Sequence, residues 1–287
     1  MPLIGLTIIG ESINDSVPST KKLYEANDIA GLKELAKSQD EGGATYIDVN
    51  VGSRPPEFLA EMVRQVQSVT TKPLSIDTPD PVMAEAALKA YDLNRAGGKI
   101  PVLNSISQLR LGMFELKKIL PFKPILLVTE RDEAGTGQPN HTADQTYATA
   151  KQMLAEANKH GIATTDCIID PGISPIGADS ENQFKRLMTS IQMIHADRQF
   201  KGAHMSVGLS NFTVMLPPKR ADGSPTKGPL ESAFLTLAMP YGLDHVIGSV
   251  KRKYELLTPD HPAMQCLTAC LGLEGFDVIM RVQEYYA

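Results

Sequence analysis

Carboxylates and carboxamides recur along this chain at the ends of short apolar runs, as if each run delivered one polar side chain to a shared place. Glu11 and Asn14 follow GLTIIG, Asp48 and Asn50 lie in YIDVNVG, and Asp77 closes LSID. Asn104 follows in IPVLNS, Asp170 in CIIDPG and Asn211 in SVGLSN. A carboxylate accepts two N–H donors side by side, and a carboxamide offers one donor and one acceptor. Together they match the edge of a 2-amino-4-oxo ring. The set is poor in Lys and Arg, which suits a neutral, many-donor heterocycle better than a phosphate. A buried Asp without a cation is costly unless such a ligand satisfies it.

Asp and Asn after a strand are also favoured N-caps of the next helix, and Asp170 before Pro171 fits a turn. Co-occurrence argues for more than capping. Six of eight predicted strand ends carry a carboxylate or amide, whereas caps use Ser and Thr as readily. Ser105 and Ser210 lie beside two members of the set. The six histidines, His141, His160, His195, His204, His245 and His261, show neither H-x-x-x-H nor H-x-H spacing, so no metal site is expected. No G-x-S-x-G, G-x-G-x-x-G or phosphate-loop pattern occurs. Cys167, Cys266 and Cys270 read as packed thiols: the odd count argues against disulfides, and no partners complete a zinc site.

These side chains need strands to present them. Eight candidates are 6–9, 45–49, 73–76, 100–103, 124–128, 166–169, 203–207 and 245–250, apolar on both faces as parallel strands under helices should be. Helical segments fill the gaps. Asp28 caps one ending at Gly42-Gly43, Pro55-Pro56 and Pro79/Pro81 open two more, and Ser107 is positioned to cap QLRLGMFELKKIL. Thr142 caps the next, and further helices are predicted over 182–194, 230–238, 263–273 and 276–286. Eight strand–helix units predict a single (β/α)8 barrel of the α/β class, its polar set at the carboxyl ends of the strands. The other topology considered, an open doubly wound sheet, lacks its Gly-rich first turn. Long loops at 131–141, 172–181 and 214–228 read as lids or partner contacts.

The chain has 287 residues, 42% hydrophobic and 21% charged, with a formal net charge of -5. That is ordinary globular composition for one barrel-sized unit. It has no basic stripe for nucleic acid and no apolar run near the ~20 residues of a membrane span. Glu11 interrupts the apolar start too early for a signal peptide, so a cytoplasmic location is expected.

The ordered motifs GESIN, DVNVG, SIDT, LNSIS, IIDPG and GLSN resemble the pterin-binding barrels, spanning about Gly10 to Asn211. Within them the chain is most similar to methyltetrahydrofolate:corrinoid protein methyltransferases and the folate domain of cobalamin-dependent methionine synthase. The resemblance implies one pterin-binding barrel domain over 1–287. It implies that Asp77, Asn104 and Asp170 bind the pterin and that Asn211 reaches N5, where the methyl resides, as the catalytic residue. Glu11, Asn14, Asp48, Asn50, Ser105 and Ser210 match further mouth positions. It also implies tetrahydrofolate or methyltetrahydrofolate as substrate, a corrinoid supplied by a partner protein, and a homodimer. The methyl could originate in an aryl methyl ether (O-demethylation), a quaternary amine or one-carbon fixation. Two alternatives share the barrel: a dihydropteroate synthase and a non-catalytic folate-binding protein. The synthase family places basic residues at the seventh and eighth strand ends, where SVGLSN has none and HVIGSVKRK lacks the Arg-x-His pattern.

Overall fold

All eight apolar runs become strands, with the outer face of the sheet buried by covering helices and the inner face packed inside the barrel. The computed structural model describes residues 3–287. The barrel strands are β1 (Thr7–Asn14), β2 (Tyr46–Asn50), β3 (Leu74–Asp77), β4 (Val102–Ile106) and β5 (Lys123–Leu127). After a hairpin, β6 (Glu130–Glu133) with β7 (Thr136–Pro139), come β8 (Ile168–Asp170), β9 (His204–Gly208) and β10 (Leu243–Gly248). Parallel pairing runs β1-β2-β3-β4-β5-β8-β9-β10 and returns to β1, closing the predicted barrel. A closed sheet has no open edge and turns every strand's carboxyl end to one rim.

The helices are α1 (Pro18–Glu25), α2 (Ile29–Glu41), α3 (Pro56–Gln67), α4 (Pro81–Ala90) and α5 (Ala143–Lys159). They continue with α6 (Gln183–Ala196), the single turn α7 (Leu209–Phe212), α8 (Lys227–Ala238), α9 (Pro262–Leu271) and α10 (Phe276–Tyr286). Their starts follow local chemistry. The Asp28 side chain accepts the Gly31 N–H, Asp80 accepts from Val82 and Met83, and Thr142 with Gln145 forms a reciprocal capping box.

Some boundaries differ from those predicted. Ser107 makes no side-chain cap bond, and the segment after it, Gln108–Lys118, is 3-10 rather than α-helical, broken at Arg110. Gly112 within it weakens α-helix propensity, and burial of Met113 and Phe114 holds the segment down instead. The fourth strand starts at Val102, after Pro101, which has no N–H for the ladder. The residues 131–141 are mostly the β6–β7 hairpin, turned by Ala134 and Gly135 with positive φ. The 214–228 segment is anchored: Lys219 bridges to Pro225, and the Arg220 guanidinium stacks on Tyr285 and donates to its carbonyl.

The main core lies between barrel and helices, with Phe114, Phe212 and Phe234 among its largest buried side chains. A second, small apolar cluster fills the barrel itself: Ile9, Val102, Ile125 and Ile168, flanked by Tyr46 and Ile247. All three cysteines are buried and free. No helix among the described residues is long and apolar enough to cross a membrane.

Loss of the α5 cap tests the local account. Thr142→Ala should lower stability by about 1 kcal/mol in urea denaturation with an unchanged m-value.

Candidate functional site

Side chains two apart on a strand share a face, so the residue two positions after each inward-facing residue lower in the barrel lies at the rim. Val102 is followed in this way by Asn104, Ile168 by Asp170, Ser75 by Asp77, and Asp48 by Asn50. The result is a cavity of about 610 Å³ over the carboxyl ends of the strands. Glu11, Asn14, Asp77, Asn104, Asp170, Ser210 and Asn211 all line it. Asn50 and Asp48 stand behind or beneath that lining, and Ser105 is not part of it. Ser16, Thr129, Gly172, Ile173 and Val214 are also in the wall, and no Lys or Arg lines it among the described residues.

Asp77 is the hub of one side. Its Oδ2 accepts from Asn50 Nδ2 at 3.0 Å and, more weakly, from Asn14 Nδ2 at 3.5 Å. Both amides also hold their own turns: Asn14 Oδ1 accepts the Ser16 N–H and Asn50 Oδ1 the Gly52 N–H, each within 2.9 Å. Turn formation and site building are therefore performed by the two ends of one side chain. Arg54 ties the two turns together. It donates to Asp15 and to the Val51 carbonyl at 2.7 Å each, and it stacks on the Tyr24 ring. Burial pushes Asp77 up to about 6, against the lowering effect of the Asn50 bond. Below it, Asp48 is fully buried, and neither oxygen has a hydrogen-bond partner among the described residues. Burial first, and the Asp77 charge second, raise Asp48 well above the carboxylate range, which favours its neutral form.

Asp170 anchors the opposite side. Its Oδ1 accepts the Gly172 N–H at 2.8 Å, leaving Oδ2 for the cavity. Gly172 has φ +73°, and a Cβ there would overlap the Thr129 methyl, so the turn requires glycine. Arg186, from α6, donates to the Pro171 and Gly172 carbonyls at 2.8 and 3.0 Å and fixes the turn from behind. Burial raises Asp170 to about 6, opposed by the Gly172 bond and the Arg186 charge.

Asn211 sits on α7, the single turn that follows β9, and is exposed to the cavity. Its amide lies over Gly208, where a Cβ would come within 2.8 Å of Nδ2. Braces hold α7 on both flanks. The Ser210 hydroxyl donates to Glu11, and the Thr213 hydroxyl donates to the fully buried Glu231 at 2.6 Å. Arg252 pairs with Glu231 at 3.2 Å. Burial raises Glu11, with the Ser210 bond and Arg252 opposing. Sequence reasoning did not find Arg54, Arg186, Glu231 or Arg252. Glu231, a lone acid in the apolar stretch PLESAFLTLA, carried the one readable signal.

A family model described as pterin binding enzyme matches residues 13–248. The chain belongs to the pterin-binding enzyme family. A methylcorrinoid:tetrahydrofolate methyltransferase of Eubacterium limosum is 31% identical over 251 residues, covering 84% of each chain. Among solved structures, a Xanthomonas albilineans dihydropteroate synthase with 4-aminobenzoic acid superposes with a TM-score of 0.57 at 15% identity, covering 84% of this chain and 86% of that one. The 7,8-dihydropteroate synthase of Vibrio fischeri ES114 gives 0.57 at 15% identity, covering 97% and 92%. At such identities the likeness is one of fold. Within this pterin-binding barrel, the histidines that lacked any spacing signal do not enter the mouth. His204 and His245 meet instead at the amino ends of β9 and β10.

The burial of Asp170 has a pH signature. Its folded pKa of about 6 lies above the unfolded value of about 3.9, so the folded protein holds the extra proton between them. That contribution to stability is fully present below about pH 4 and is lost as pH rises through about 6. Asp170→Asn keeps the turn acceptor and removes the charge. Between pH 4.5 and 7.5, ligand-free variant should gain about 2 kcal/mol on wild type in urea denaturation. A pH-independent difference would contradict the buried-charge account.

Proposed function

We propose that this chain, as one pterin-binding barrel, is a methyltransferase. It moves a methyl group between N5 of tetrahydrofolate and the cobalt of a corrinoid carried by a separate protein. The observation that carries the reading is the mouth itself: two carboxylates raised to about 6, three carboxamides, and no cation in the lining among the described residues. Carboxylates that are costly to ionise without a partner gain most from a ligand rich in N–H donors. A synthase that releases diphosphate would need Lys or Arg at the leaving group, and none lines the mouth among the described residues. The relative from Eubacterium limosum, named for methylcorrinoid and tetrahydrofolate, supports the same choice.

In this reading Asp77 and Asp170 accept the 2-amino and ring N–H donors of the pterin from opposite sides, and Asn104 pairs with its lactam edge. Asn211 addresses N5. When tetrahydrofolate is methylated, the N5 lone pair forms the N–C bond and the cobalt–carbon electron pair stays on cobalt as Co(I). N5 then gives up its proton to water. In reverse, Co(I) attacks the methyl carbon, and N5 keeps the N–C pair and takes up a proton. A carboxamide suits both directions because it can accept from N5–H or donate to the N5 lone pair by reorienting. Its contribution grows where charge develops at N5. The exposed position of Asn211 leaves the methyl facing open space, where a flat corrinoid can approach in line.

The decisive assay mixes the protein with tetrahydrofolate and methylcobalamin, or methyltetrahydrofolate and cob(I)alamin, and follows the corrinoid spectrum. Spectral conversion is expected. Tight folate binding without conversion would leave a binding protein, and condensation of a pterin diphosphate with p-aminobenzoate would establish a synthase. Asn211→Ala should lower kcat/KM by about 100-fold, far more than Asn104→Ser. Because the ligand pairs with ionised Asp77 and Asp170, folate affinity should be up to about 100-fold weaker at pH 5 than at pH 7, and Asp170→Asn should reduce that dependence to about tenfold.

A further inference from the structure

The opposite end of the barrel holds a second constellation, and we propose that His204, Asp244 and His245 bind one divalent cation of the zinc type. β9 and β10 are neighbouring parallel strands, and the three residues stand at their amino ends. Asp244 lies between the rings. Its Oδ2 is 2.6 Å from His204 Nδ1 and its Oδ1 is 2.7 Å from His245 Nδ1, with the Met205 N–H also on Oδ1 at 3.2 Å. The imidazole centroids are 4.7 Å apart. One ligand atom from each residue falls within 4.8 Å of the other two.

Two imidazole nitrogens and one carboxylate oxygen are the three-ligand donor set of an open zinc site, with a fourth position for water. The set is accessible: the His204 and Asp244 side chains are 30% and 34% exposed, while His245 is 7% exposed and fixed by packing. Around a tetrahedral cation with bonds of about 2.0–2.1 Å, ligand atoms stand about 3.3 Å apart. The observed nitrogen–oxygen separations, 2.6 and 2.7 Å, are shorter, so loading requires an opening of about 0.6–0.7 Å, within reach of rotation by the two partly exposed side chains.

This floor is independent of the mouth. His204 and Gly208 bracket β9, so the two ends are about 13 Å apart along the strand. The apolar plug of Ile9, Val102, Ile125 and Ile168 fills the barrel interior. Nothing in the proposed methyl transfer uses the floor, and the floor proposal does not rest on that reading.

The test uses tag-free full-length protein, stripped with chelator and then titrated with zinc, with bound metal measured after gel filtration. One zinc per chain is expected. His204→Gln and Asp244→Asn should each weaken binding about tenfold or more, while Asn211→Ala should bind zinc as wild type does. Circular dichroism checks that the variants fold. Cobalt(II) gives an independent readout on wild type: weak visible bands of nitrogen and oxygen ligation are expected. Thiolate charge-transfer bands would instead place the metal at Cys266 and Cys270 and overturn the proposal. So would absence of bound zinc in the wild type, or undiminished binding in both floor variants, which would leave the cluster as a hydrogen-bonded latch between two strands.

Discussion

The constraint on which the rest depends is the cost of burying acid without base. Asp48, Asp77 and Asp170 face the interior or rim of a closed barrel, and no Lys or Arg reaches the lining among the described residues. In a medium of low polarizability the charged forms are penalised, so Asp77 and Asp170 rise to about 6 and Asp48 is raised as well. A site tuned this way is poised: its carboxylates ionise near neutral pH and gain most from a ligand that brings its own donors. The same argument disfavours ligands that bring phosphates.

Cations are present near the site but are used behind it. Arg54 ties the turns after β1 and β2, Arg186 holds the turn after β8, and Arg252 pairs with Glu231 under α7. Each guanidinium bonds backbone carbonyls or an acid outside the cavity lining, so it fixes the geometry of the mouth and offsets only part of its negative charge. Under the proposed methyl transfer such bracing would matter for catalysis, because a group that tracks a nitrogen through a change of charge works only if its own position is determined by something else. For Asn211 that support comes from the Ser210–Glu11 and Thr213–Glu231 bonds on either flank of a single helical turn.

Most of the barrel was legible because its strands are short, apolar and separated by helices with plain start signals: Asp28, Asp80 and Thr142 cap as their positions demand. Ser107 did not, since capping is a local preference and the segment after it is held by burial of Met113 and Phe114. The β6–β7 hairpin escaped notice because Ala134-Gly135 is a weaker turn signal than Asn-Gly. At the rim, local turn formation and placement at the cavity are shared by the same side chains. Asn14, Asn50 and Asp170 each spend one polar atom on the local turn and aim the other at the mouth or at Asp77.

The sequence alone determined the eight-unit barrel and the polar residues at its rim, because strand alternation and helix punctuation are local properties that the chain carries in order. Tertiary structure decided which of those residues share a cavity, that Ser105 stays outside it, and that Asp48 lies beneath it rather than in its wall. It also decided where the arginines go and that His204, Asp244 and His245 meet. These are relations between strands far apart in the chain. Barrel closure sets them, and no spacing rule along one dimension encodes which distant side chains a closed sheet will bring face to face.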